Sequence, residues 1–137
     1  MTSRTSEIHL PGSETVVDWF GRWPTFADAE ILSLLLQRAS DSRLEVLTWL
    51  TRSEVGRDGT FVREKHAIVV FLLTSITSLA LTDFTSQNVI GGLTVEEHRE
   101  NGKRLILDPC WGLNGYIEAA GIRVELVPLD RSSPLIR

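Results

Sequence analysis

Ala29-Glu30-Ile31-Leu32-Ser33-Leu34-Leu35-Leu36-Gln37 and, after a short gap, Leu44-Glu45-Val46-Leu47-Thr48-Trp49-Leu50 decide how this chain is read. Each run alternates with the two-residue period of a strand, whose successive side chains point to opposite faces. Glu30, Leu32, Leu34 and Leu36 share one face, and Ile31, Ser33, Leu35 and Gln37 the other. In the second run Leu44, Val46, Thr48 and Leu50 oppose Glu45, Leu47 and Trp49. A leucine-rich helix fits the first run too, because short apolar runs do not separate the two periods. The turn formers Ala39-Ser40-Asp41-Ser42, and the return of alternation with the strand formers Val46, Thr48 and Trp49, favour a β-hairpin.

Towards the N-terminus, residues 1–12 read as a flexible leader ending at Pro11-Gly12. Ser13 reads as a helix N-cap with Glu14 in the favourable first turn. Val16, Trp19 and Phe20 then form an i, i+3, i+4 stripe, and Gly21 suits the left-handed position that stops the helix. Trp23 precedes Pro24 and is biased to an extended conformation.

Towards the C-terminus, residues 52–64 form a polar loop. His66 to Leu73 is apolar on both faces, as in a doubly covered strand, and Ile76 to Phe84 is a further strand. Gly91-Gly92 marks a bulge or bend before Leu93-Thr94-Val95, and Asn101-Gly102 a turn before Leu105-Ile106-Leu107. Two last strands, Gly115 to Ala119 and Ile122 to Val127, end at Pro128, which cannot donate to a ladder. The sum is an α+β, mostly β fold: an antiparallel sheet of seven or eight strands with a short N-terminal helix. Residues 13–130 make the domain and 131–137 a loose tail.

The 137 residues suit one domain and exclude a two-domain enzyme or a large cofactor-binding barrel. A formal charge of −4 argues against a general nucleic-acid binder, which needs cations to displace phosphate counterions. With 42% hydrophobic and 23% charged residues the chain is not intrinsically disordered. The single cysteine, Cys110, allows no intrachain disulfide and fits a reducing cytosol. No signal peptide is visible, and Ala67 to Leu81 is too short and too polar for a membrane helix. A cytoplasmic, soluble protein is expected.

The chemistry-bearing residues are sparse. His9, His66 and His98 fit no zinc spacing. Cys110 reads as a small buried hydrophobe, and Trp19, Trp23, Trp49 and Trp111 as core residues. No catalytic, cofactor-binding or metal-ligating motif stands out, so no cofactor is expected. Asp28 and Glu30 are the one carboxylate pair with a plausible joint role. At i and i+2 of a strand they share a face and could bind a cation or act as acid and base. The favoured reading is structural: Asp28 caps a turn and Glu30 pairs with an arginine such as Arg22. Asp83, Glu96, Glu97 and Glu100 are candidates for an acidic surface facing a basic partner.

The stretch Trp19-Phe20-Gly21-Arg22-Trp23-Pro24-Thr25-Phe26-Ala27-Asp28-Ala29-Glu30-Ile31-Leu32-Ser33-Leu34 resembles the opening signature of the bacterial immunity protein 50 family. Phe84 followed by Gln87-Asn88-Val89-Ile90, and Gly112-Leu113-Asn114-Gly115 leading to Glu118-Ala119, are similar as well. The likeness spans about residues 16–128, and the first motif is its specific part. Where the family has His before the Asp, this chain has Ala27, so a site needing that His is incomplete, with Asp28 and Glu30 remaining. The resemblance implies an antidote in a polymorphic toxin or contact-dependent inhibition system, a non-enzyme that binds a cognate toxin domain and blocks its active site. An acidic antidote suits a basic toxin such as a nuclease. The alternative is a small-ligand- or metal-binding β-rich domain built on Asp28 and Glu30. Monomer and homodimer are both left open.

Overall fold

The computed structural model describes residues 9–55, 61–130 and 132–136. One helix, α1 (Ser13–Phe20), precedes six strands: β1 (Ala29–Leu35), β2 (Ser42–Val55), β3 (Phe61–Thr82), β4 (Asn88–His98), β5 (Gly102–Trp111) and β6 (Asn114–Pro128). All neighbours are antiparallel, and the order β1-β2-β3-β6-β5-β4 returns to β1, so the sheet closes into a barrel. The expectation of a mostly β, antiparallel chain with a short N-terminal helix holds. The count of seven or eight strands is corrected to six.

The physical reason is a pair of bends. Thr74-Ser75 and Ala120-Gly121 each read in sequence as a break between strands. In the barrel Thr74 lies opposite Gly121, and the two bends face each other within one continuous β3–β6 ladder running from Ala67↔Pro128 to Thr82↔Asn114. Ser75 takes φ 52°, and the register slips by one residue between Ile76 and Ser78. A closed sheet needs such local irregularities to coil, and they turn a strand without ending it. The expected hairpin of β1 and β2 is present, with Leu34 opposite Leu44. Gly91-Gly92 lies at a bulge against β5, as read. Of the polar loop expected over 52–64, residues 52–55 belong to β2 and 61–64 to β3, and residues 56–60 lie outside the described residues.

The core is the barrel interior: Leu44, Val46, Val69, Phe71, Leu73, Ile90, Leu105, Ile117 and Val124 are buried. Val70 and Leu72 are also buried although they point outward. Their cross-strand neighbours are Glu45 and Glu125, and Arg43 and Arg123, long side chains whose aliphatic stems lie beside them. This explains why the segment read as apolar on both faces.

One end of the barrel is plugged by α1. Val16 and Phe20 enter the core with Leu10, and the Val124 amide donates to the Pro11 carbonyl at 2.9 Å. Residues 9–12 are therefore tied to the barrel, which corrects the flexible-leader reading for that part; residues 1–8 lie outside the described residues. The helix N-cap is Gly12, with φ 90° and no side-chain cap, rather than Ser13. A β-carbon on Gly12 would overlap the Val124 carbonyl, so the chain passes too close to β6 for any other residue. Gly21 ends the helix with φ 85°, its amide donating to the Val17 carbonyl.

The other end is closed differently. β3 and β4 are not neighbours, so residues 83–87 must cross the barrel mouth to join them. Asn88 is buried and holds this crossing. Its Oδ1 accepts from the amides of Thr85 and Leu113, both at 2.9 Å, and its Nδ2 donates to the Thr85 carbonyl at 2.8 Å. Three of the four hydrogen bonds open to a buried Asn are thereby made.

Candidate functional surface

Asp28 and Glu30 do not share a strand face. Asp28 precedes β1, in a turn where Phe26 and Asp28 both take φ 66°. These two left-handed residues swing the Phe26 ring into the core, against Phe71 and Trp23 at centroid distances of 5.8 Å each. Left-handed backbone at a bulky residue costs about 1–2 kcal/mol, less than the roughly 2–3 kcal/mol gained by burying a Phe side chain. Glu30 sits half-buried on β1, between Leu47 and Val89. Among the described residues no ion pair joins Arg22 to either carboxylate. Arg22 and Asp28 do line one cleft of about 180 Å³, with Ala27, Thr48 and Trp49; Glu30 does not. Ala27 thus lines the same cleft as Asp28.

The remaining acidic candidates do not form one patch. Glu96 and Glu97 lie at the far end of β4, opposite Arg104 and Lys103, at 3.7 and 3.2 Å. Glu100 is exposed in the β4–β5 turn. Asp83 lies at the crossing loop, roughly 25 Å from them at the rise of a strand. Among the described residues no group of His, Cys, Asp or Glu is arranged to hold a metal ion.

A cluster that sequence reasoning missed lies on the outer face of β4, β5 and β6. Glu118 is buried there, and Arg104 donates to it from Nε at 2.8 Å and from its terminal nitrogen at 2.5 Å. Arg104 also covers the Tyr116 ring at 5.3 Å, and His98 Nε2 approaches the same Glu118 oxygen at 3.1 Å. Hydrogen bonding from Arg104 holds the Glu118 carboxyl below the ordinary glutamate range, against the opposing effect of burial. The signal available in sequence was a lone carboxylate inside the apolar run Ile117-Glu118-Ala119.

The loop-closed end carries the largest exposed apolar groups. Phe84 is 64% and Trp111 65% exposed, and Leu35 and Leu36 are exposed beside the β1–β2 turn. Phe84 joins Leu34, Leu81 and Leu113 around a cleft of about 380 Å³, with Asp83 on its rim. Trp111 leads into Gly112, which packs against Thr85, Gln87 and Asn88 of the crossing loop. The core reading of Trp111 is corrected, and so is that of Cys110, which is exposed. Both lie where β5 has run past its last pairing with β6 at Leu107↔Gly115, so no third strand covers them.

Fold and surface define a small antiparallel barrel with a helical plug at one end and an aromatic-rimmed loop at the other. Compared with protein-family models, curated proteins and solved structures, the chain matches none. Among the described residues no helix is long and apolar enough to cross a membrane.

Proposed function

We propose that this chain is a binding protein of the immunity type: it covers a cognate toxin domain in the cytoplasm and blocks it, as the resemblance of its Trp19–Leu34 segment implies. The observation that carries the reading is the pair of large exposed aromatics Phe84, on the crossing loop, and Trp111, at the end of β5, on either side of the Asn88 hydrogen bonds to Thr85 and Leu113. Rigid exposed aromatics next to an apolar cleft are the groups that supply most of the energy in protein interfaces. Asp83 on the rim suits a basic partner such as a nuclease, since complementary charge steers the encounter. The test is co-expression with the product of the adjacent reading frame. Restored growth and co-purification of the pair support the proposal; no rescue and no capture oppose it.

A second reading, a small-ligand or cation site at Asp28, draws on the cleft that Asp28 shares with Arg22 and Trp49. It predicts that a millimolar divalent ion raises the melting temperature, because a ligand that binds only the folded state stabilises it. An unchanged melting temperature removes it.

A further inference from the structure

β3 outruns its neighbour. β2 leaves it at Ser42↔Leu73, and from there to Thr82 β3 pairs only with β6 among the described residues. Its other edge therefore presents unpaired amides and carbonyls. Natural edge strands are guarded by charges, prolines or shortness. Thr74-Ser75-Ile76-Thr77-Ser78-Leu79-Ala80-Leu81-Thr82 holds no charge and no proline. Its irregularities are confined to Ser75 and the slip after Ile76; Ser78 to Thr82 run in unbroken register against Glu118 to Asn114. Because of that slip Ile76, Leu79 and Leu81 all fall on the face shared with the buried Ala119 and Ile117, yet Leu79 is 38% exposed.

We infer that this edge binds a second copy of the chain, β3 against β3 in antiparallel register about a two-fold axis that sets Leu79 of one copy opposite Leu79 of the other. Such an axis, perpendicular to the sheet, keeps Ile76, Leu79 and Leu81 of both copies on one side as a continuous apolar strip. It also brings the Thr74 end of each strand to the Asp83 end of the other. Beside Thr74 stands Arg123, which grips Asp41 through one terminal nitrogen at 2.6 Å and has its other donors open to a second carboxylate. The uncharged middle has nothing to repel its own copy, and the ends are complementary. This inference does not rest on the toxin-binding reading.

The test is the molar mass of the whole chain by sedimentation equilibrium across the micromolar range, with three variants. Wild type is expected at twice the 15.3 kDa chain mass at high concentration. Ala80→Lys and Thr82→Lys place a charge on exposed side chains of the edge, away from the core. Each is expected to keep its circular dichroism and to weaken association at least about tenfold: Ala80→Lys sets the two copies' cations diagonally across the axis, and Thr82→Lys carries a cation towards the Thr74 end of the partner, where Arg123 stands. Asp83→Arg, which sets like charges opposite at the strand ends, is expected to weaken it by a smaller factor. A monomeric wild type at high micromolar concentration overturns the inference. So does undiminished dimerisation of whichever lysine variant folds, because the contact then lies elsewhere.

Discussion

The two ends of the barrel solve the same problem with opposite chemistry. The helical end is sealed by hydrocarbon: Leu10, Val16 and Phe20 fill it, and the Trp23, Phe26 and Phe71 rings pack beneath. The loop end is sealed by one polar side chain, Asn88, and its largest apolar groups, Phe84 and Trp111, are left in water. Burying aromatics stabilises a fold, whereas leaving them in water does not. The helical end therefore carries stability, and the loop end is where the proposed recognition falls.

The largest expected effect is at the helical end. Phe71→Ala removes a fully buried ring contacting two others and should cost about 3–5 kcal/mol in urea unfolding. A loss below about 1 kcal/mol would mean the aromatic cluster does not hold this end. Asn88→Ala should cost about 2 kcal/mol, since it strips the Leu113 and Thr85 amides of their acceptor. Amide exchange over residues 83–88 should rise far more than elsewhere; uniform exchange would show that the loop is held by something other than Asn88. Gly21→Ala, at φ 85° with open space around it, should cost about 1 kcal/mol from backbone strain alone.

The Glu118 cluster belongs to neither end and gives a pH signature instead of a large loss. Its carboxyl titrates lower in the folded chain than in the unfolded one, so the carboxylate stabilises the fold above the ordinary glutamate range. That contribution is lost as the pH falls through the lowered folded value. Glu118→Gln should therefore flatten the acid limb of stability against pH; an acid limb identical to wild type would contradict the role given to Arg104.

Local periodicity made most of the barrel legible. The β1–β2 hairpin, the Gly21 stop, the Gly91-Gly92 bulge and the Pro128 terminus are all short-range features, encoded by alternation or backbone permissiveness. What stayed hidden was relational. Thr74-Ser75 reads as a strand break until Gly121 is placed opposite it. Trp111 reads as core until β5 is seen to outrun β6. Asp28 and Glu30 look like a same-face pair only if the strand starts one residue earlier than the left-handed turn at Asp28 allows. At the candidate surface, the sequence offered the acidic residues and the motif, and the fold separated Asp83 from Glu96, Glu97 and Glu100.

The division of labour between the ends is tested most directly by the double variant Phe84→Ala/Trp111→Ala, examined for thermal stability and for capture of the co-expressed product of the adjacent reading frame. Both side chains are mostly in water, so unfolding should change by no more than about 0.5 kcal/mol for each, while the growth rescue and co-purification expected of wild type should disappear. A double variant that still captures and protects as well as wild type would contradict the account.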